Sequence, residues 1–368
     1  KRRNKMPNSI SSTTCSSPTN DSVEKIIKND SVRYKRKGYG LFFATISVLG
    51  FFFVLPHILN GVYPLMLAKN DPIWFTFFTS TFLHMFMNIL CYVISYFIYT
   101  AKSPFMERYK VADGPWPWES NPKEWKSLLK KSIALFLVNN LIIAPVMVIG
   151  DLMVGGISQR ISPNHLPTCK EIILQLSFCM IVEDFCFYWG HRILHSKALY
   201  PHIHKIHHQY NVTVSIANEY SHPFEFLISN LLPSTVGPKL LGKQMHMVTY
   251  WMWIIMRVGE SVDGHCGYDF SWSPFRLLPL SGSSTYHDFH HSANVGNYCS
   301  LFTFWDTVFN TNRDYWVWLS KRQKDSQFSE IKDAYNSIKA KLQKDPSHEA
   351  SKRDQLSDAH SGHKKTDQ

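Results

Sequence analysis

Four stretches of apolar sequence decide most of what this chain can become. They run from Gly40 to about His57, from about Ile73 to Tyr99, from about Ile133 to Met153 and from about Ile172 to Gly190. The hydrocarbon core of a bilayer is about 30 Å thick, which a helix crosses in about 20 residues. The second run exceeds that length with tilt to spare. The expected fold is therefore all-α, a polytopic membrane helical bundle of about four spans. A further apolar pair, about Phe226–Leu241 and His246–Val262, is interrupted by Pro233, Gly237, Pro238 and Gly242. It is expected to form a shallow re-entrant hairpin rather than two full spans.

Charge then orients the bundle. The net charge of +11 would suit nucleic acid, but the basic clusters flank apolar runs, which points to a membrane surface instead. Residues 1–39 carry ten Lys/Arg and the loop 101–131 carries seven, whereas loops 58–72 and 154–170 carry one and two. Cytosolic loops hold the basic excess, so the amino terminus and the 101–131 loop are expected in the cytosol. In that loop Trp116 and Trp118 are expected interface anchors. Residues 1–38 read as a disordered basic cytosolic tail, 39–318 as the membrane unit, and 319–368 as a polar tail. In the last of these Phe328, Ile331, Tyr335, Ile338 and Leu342 repeat at amphipathic-helix spacing. No methionine opens the chain, so its start is expected to be incomplete, and no apolar run before residue 39 resembles a secretory signal. Seven scattered cysteines without paired spacing argue against a disulfide framework or a zinc finger.

Twelve of the 18 histidines fall between His191 and His291. Eight of them form three boxes: His191 and His195; His204, His207 and His208; His287, His290 and His291. Residues three and four apart share a helix face, so each box can aim two or three imidazoles one way. Imidazole suits iron, zinc, copper and nickel, and the lack of paired thiolates disfavours structural zinc. Arg192 stands where a zinc protease of the HExxH type needs its glutamate. Eight histidines exceed the needs of one tetrahedral ion, so two metals are expected, and a pair of O2-binding irons fits best. No organic-cofactor motif competes for the redox role. Four passes end at His191, which places all three boxes on the cytosolic side as a histidine-rich di-iron head.

Between the boxes, His222 and His265 are additional candidate ligands, while His202 and His246 are expected to be structural. Glu183 and Asp184 precede His191 by eight and seven residues and fall near its helical face. Carboxylates in a membrane segment are usually functional, and orienting a ligand imidazole is the expected role. Glu219 and Asp263 are further candidates of the same kind.

The three boxes resemble those of the fatty acid hydroxylase/sterol desaturase superfamily of integral membrane di-iron oxygenases. The flanking runs Asn218-Glu219-Tyr220-Ser221-His222-Pro223 and Glu260 to Phe270 resemble its C4-methylsterol monooxygenase branch. So does the run His287 to His291 followed by Gly296-Asn297-Tyr298 and Trp305-Asp306, the likeness covering roughly residues 110–316. The chain departs from the branch at Cys266 and Ser271, and at Asn310-Thr311-Asn312 after Trp-Asp. Its Lys364-Lys365 pair is followed by three residues rather than the two of a dilysine retrieval signal. The resemblance implies an endoplasmic-reticulum enzyme that oxidises a sterol C4 methyl group. It would use O2, two irons, and electrons from NAD(P)H through cytochrome b5 and its reductase. A sterol desaturase or lipid hydroxylase of the same superfamily is the neighbouring alternative. A histidine-rich metal transporter would place ionisable groups within its spans near the midplane, whereas these boxes lie at or beyond span ends.

Overall fold

The structure, a computed structural model, describes residues 38–322. The amino-terminal tail up to residue 37 and the expected amphipathic helix beyond residue 322 lie outside the described residues. Among the described residues every element is helical, and β pairing is limited to three isolated bridges. Four helices are long and apolar enough to cross a membrane: α1 Tyr39–Ala68, α2 Pro72–Ala101, α3 Pro122–Gly155 and α4 Cys169–Leu194. Between a fifth and a sixth helix, α5 Leu232–Leu241 and α6 Met247–His265, the chain doubles back, and neither reaches that threshold. Two short helices follow, α7 Ser284–Ala293 and α8 Phe304–Val308. The chain divides after Tyr315; of the second unit, residues 316–322 are described and helical, with the Arg322 guanidinium 5.2 Å from the Trp318 ring centroid.

Local sequence fixes where these helices begin. Asp71 caps α2 by accepting from the amides of Ile73 and Trp74, and Pro72 fills the first position, where no N–H is needed. Asn121 and Pro122 do the same for α3. α4 opens on a reciprocal pair in which the Thr168 hydroxyl and the Glu171 carboxylate each accept the other's amide. α3 starts eleven residues before the apolar run that announces it, because its lysine-rich first turns are helical but polar.

Three π-helical turns interrupt the helices, at Gly50–Val54, Asn139–Ile143 and Phe226–Leu231. Each ends two residues before a proline: Pro56, Pro145 and Pro233. A proline ring clashes with the carbonyl four residues back and cannot bond to it. Widening the preceding turn relieves the clash while keeping neighbouring backbone groups paired, as lipid requires. At the first of these the Phe52 carbonyl, four residues before Pro56, accepts instead from the Cys169 thiol at 3.6 Å. The second turn exposes Asn139 and Asn140 to the protein interior, where both are buried.

Outward faces are apolar, as in Phe42, Phe53, Phe97, Ile142, Met153 and Val154, the last 94% exposed. Such continuous exposed apolar surface belongs in lipid. α5 packs on α4 and α6 on α2, with the Trp253 indole N–H donating to the Ser234 carbonyl at 2.7 Å. The pair thus lies among the spans, and it carries the chain back to the end of α4, where the histidines are.

Candidate metal centre

Each box reaches the site by a different route. His191 lies in the last turn of α4 and His195 caps its end. His287, His290 and His291 lie on α7, whose start is capped by Ser283 accepting from the Tyr286 amide at 3.1 Å. Box two departs from the helical expectation. Pro201 follows the end of α4 closely, and residues 199–206 run through successive turns into a short 3-10 turn at His207–Gln209. The histidines still converge, because consecutive turns also bring residues three and four apart together.

They form two adjoining groups. His191, His195, His204, His208 and His290 make the first, and His207, His265, His287 and His291 the second, with the ligand-type atoms of each group within 4.8 Å of one another. All eight box histidines are included, and His265 at the end of α6 joins as a ninth. The groups touch: the His208 and His291 rings, one from each, have centroids 4.9 Å apart. His222 belongs to neither. Its Nδ1 accepts from the Phe224 amide at 3.2 Å, capping the short turn that follows. His246 likewise caps α6, accepting from the Val248 amide.

The hydrogen bonds of the outer nitrogens fix the tautomers. Carbonyls only accept, so Nδ1 must carry the proton in His191 (to Tyr298, 2.9 Å), His207 (to Tyr220, 3.2 Å), His265 (to Ser261, 2.7 Å), His290 (to Gly296, 2.5 Å) and His291 (to Tyr210, 3.0 Å). His204 Nδ1 instead donates to the Glu225 carboxylate at 2.7 Å, both side chains being buried. Every one of these rings therefore turns a bare Nε2 lone pair inward. The inner nitrogens lie 3.0 Å apart between His191 and His204, 3.1 Å between His204 and His208, 3.2 Å between His195 and His290, and 2.9 Å between His265 and His287.

With Glu225 ionised, His191 and His204 face each other through two bare lone pairs, which repel unless a cation lies between them. Metal–nitrogen bonds of about 2.0–2.1 Å at common coordination angles put neighbouring ligand nitrogens about 2.9–3.4 Å apart. The observed separations fall in that interval, so the donor set fits two metal ions. Burial also keeps the imidazoles neutral, as ligands must be. It lowers His207 to about 4 and His265 to about 3, and holds His204, His287, His290 and His291 well below the ordinary histidine range.

Two aspartates hold the loop that carries the outer partners of His191 and His290. Asp306 accepts from the amides of Tyr298 and Cys299, both at 2.9 Å, and from the Tyr286 hydroxyl at 2.9 Å. Asp184 accepts from the amides of Leu301 and Phe302, each at 3.0 Å. In the same loop Gly296 has φ +58°, and a Cβ there would lie 1.9 Å from the Thr311 carbonyl oxygen. The Gly-Asn-Tyr and Trp-Asp elements of the sequence are thus one clamp.

Of the other carboxylates singled out in the sequence, Glu183 pairs with Arg257 at 2.7 Å, Glu219 accepts from Asn140 at 3.3 Å, and Asp263 pairs with Arg276 at 2.9 Å. Among the described hydrogen bonds the carboxylate that meets a clustered imidazole is Glu225, which sequence reasoning passed over. Its signal was its place in the stretch from Asn218 to Glu225, beside the better-marked His222. Arg192 turns to the outer side of α4, over the Tyr188, Trp189 and Phe309 rings.

A polar cavity of about 50 Å3 lies against the histidines, lined also by Glu225, Asn230, Arg257 and Glu260. A second of about 50 Å3 adjoins it through Asn218, Asn230, Arg257 and Ser261 and runs toward His84, Tyr250 and Trp253 among the spans.

Comparison with known proteins agrees with this geometry. The fatty acid hydroxylase family profile matches residues 176–311, a stretch that holds all nine histidines. A methylsterol monooxygenase of Arabidopsis thaliana is 37% identical over 222 residues, which is 60% of this chain and 79% of that protein. A putative methylsterol monooxygenase of Dictyostelium discoideum is 34% identical over 263 residues, 68% of this chain and 93% of its own length. A very-long-chain aldehyde decarbonylase of Oryza sativa subsp. indica is 45% identical over 153 residues, 41% of this chain and 56% of that protein. No solved structure matches the chain.

Proposed function

Since the chain belongs to the fatty acid hydroxylase/sterol desaturase superfamily, we propose that it is a di-iron methylsterol monooxygenase. It oxidises the C4 methyl group of a sterol stepwise through alcohol and aldehyde to the carboxylate. One O2 is consumed per step, with two electrons drawn from NAD(P)H through cytochrome b5 and its reductase. The observation that carries this reading is the match to methylsterol monooxygenases, over 79% of the Arabidopsis protein and 93% of the putative Dictyostelium one, joined to nine converging histidines. The endoplasmic-reticulum membrane is the proposed location, with the histidine head cytosolic; the Lys/Arg counts of the loops support that orientation.

Two irons held by the nine clustered histidines would supply the activation of O2. His222 is assigned no part in holding them. The chain's own residues do the rest. Six Nδ1–H groups, tied to five carbonyls and to Glu225, keep each inner nitrogen unprotonated and each ring in one orientation. The Glu225 carboxylate raises the basicity of His204 through its Nδ1 proton. Glu183 and Glu260 hold Arg257 at the junction of the two cavities. At about 10–15 Å3 per water, each cavity takes about three to five waters, so only the reacting end of a lipid fits beside the histidines. Glu183, Asp184, Glu219 and Asp263 serve to position the segments bearing the histidines, one layer outside the imidazoles.

Product analysis tests the assignment. Membranes containing the chain, supplied with a 4,4-dimethylsterol, NAD(P)H, cytochrome b5 and its reductase, are expected to yield a 4-carboxysterol labelled from isotopic O2. A new ring or side-chain double bond without label would give the function to a sterol desaturase. The 45% identity to an aldehyde decarbonylase favours one second reading. Loss of a carbon from a supplied long-chain aldehyde, with the sterol untouched, would establish it.

A further inference from the structure

A larger cavity lies away from the histidines. It measures about 450 Å3 and is walled by Tyr96 and Tyr99 of α2, Trp125 and Leu129 of α3, and by Trp118 and Ile216. No clustered histidine lines it, and its volume is within the range of about 300–1,000 Å3 typical of small-molecule sites. A buried aromatic layer that includes Tyr210, Val214, Tyr220, Cys266 and Tyr268 carries the backbone partners of His207 and His291. Val214 of that layer lines the cavity, and Tyr99 stacks on Tyr268 at 5.8 Å. The cavity therefore backs onto the far side of the layer that holds the second histidine group. Tyr96, one of its wall residues, is 62% exposed on the apolar face of α2, so the cavity communicates with the lipid side.

Its polar groups define what it can take. One wall presents three hydroxyls: Ser215 donates to Ser95 at 2.6 Å, Tyr99 and Ser215 lie 2.9 Å apart, and Tyr99 donates to the Cys266 carbonyl at 2.8 Å. Each hydroxyl oxygen has two lone pairs, so the wall retains capacity to accept from a ligand hydroxyl. Among the described lining residues Lys102 is the one cation, and it is already paired with Glu119 at 2.5 Å, so an anionic headgroup would have to compete with that pair. The other walls are aromatic and aliphatic. A rigid, flat, uncharged lipid with a single hydroxyl suits this lining, and a fatty acid or phospholipid does not.

We propose that this cavity is a second lipid site, separate from the place of oxidation, which binds one sterol by its ring system with its free hydroxyl at Ser95 and Ser215. The site stands on its own lining and holds whether or not the chain oxidises sterols.

The test uses the full chain, iron-loaded and reconstituted in phosphatidylcholine nanodiscs, with a photoreactive diazirine sterol as probe. Labelled peptides are expected to span Tyr92–Lys102 and Trp118–Leu129, with labelling competed by unlabelled sterol and not by oleate or by the sterol 3-methyl ether. Leu129→Trp and Ile216→Trp, which fill the cavity, are each expected to lower that labelling at least tenfold with iron content unchanged. Ser215→Ala is expected to erase the discrimination between the free sterol and its methyl ether. Labelling confined to peptides around Asn230, Arg257 and the histidines would overturn the proposal, and so would equal competition by oleate. Unchanged labelling in both filled variants with normal iron content would do the same. Mapping on the unaltered chain decides the question even if a filled variant folds poorly.

Discussion

Removing the Glu225 carboxylate isolates what an outer partner does for a histidine ligand. Its Oε1 lies 2.7 Å from His204 Nδ1, with side-chain exposures of 4% and 2%. A buried, charge-assisted bond of that length is among the stronger hydrogen bonds. Loss of such a partner typically lowers metal affinity about 10–100-fold, equivalent to about 1.4–2.7 kcal/mol. The site offers eight other clustered imidazoles, which argues for the lower part of that range and for weakened rather than abolished binding. Glu225→Ala is therefore expected to give up iron at roughly tenfold lower chelator concentration than the parent, whereas Glu225→Gln, which keeps an acceptor oxygen, falls between them. The assay is iron retained against graded chelator, read beside thermal unfolding of the iron-free protein. Glu171→Gln, which keeps an acceptor for the cap of α4, serves as the control that leaves iron retention unchanged. A Glu225→Ala retention curve superimposed on the parent's would refute the role given to this carboxylate.

Three other outcomes follow from the same geometry. Gly296→Ala meets a carbonyl at 1.9 Å with φ +58°, so it is expected to displace the loop bearing the partners of His191 and His290, lower iron occupancy and reduce the unfolding temperature; normal values for both would contradict the clamp. In the iron-free chain, burial depresses His207 to about 4 and His265 to about 3, against about 6.5 when unfolded. The unfolded chain then binds more protons in that window, so stability present above about pH 6.5 is lost as pH falls toward 4, and an unfolding temperature no lower at pH 5.5 than at pH 7.5 would be inconsistent with it. Glycosylation acceptors inserted near residue 165 are expected to be modified and those near residues 20, 115 and 350 not; modification at 115 would reverse the topology.

The boxes were legible because their spacing brings imidazoles together in a helix and in a run of turns alike. That is why box two joins the site although Pro201 and the turns around it keep it from forming a helix. His222 and His265 were indistinguishable by sequence, each a lone histidine between boxes. The end of α6 carries His265 to His287, a contact that only tertiary structure creates, while His222 spends its nitrogen on a local cap. The spans followed from hydropathy, except the start of α3, where lysine-rich helical turns carry no apolar signal, and the end of α1, which continues to Ala68 through residues expected to form a loop. The π turns had a signal that hydropathy ignores, a proline two residues downstream. Glu225 was masked for a different reason: a carboxylate shows its role only through the imidazole it meets, 21 positions away in sequence.

Metal content of the active protein tests the central claim most directly. Purified from membranes with activity retained, the chain is expected to hold two irons per molecule. His290→Ala and His291→Ala, one from each histidine group, are each expected to lower that number while the protein still inserts into the membrane. One zinc and no iron in protein that still turns over would contradict the account.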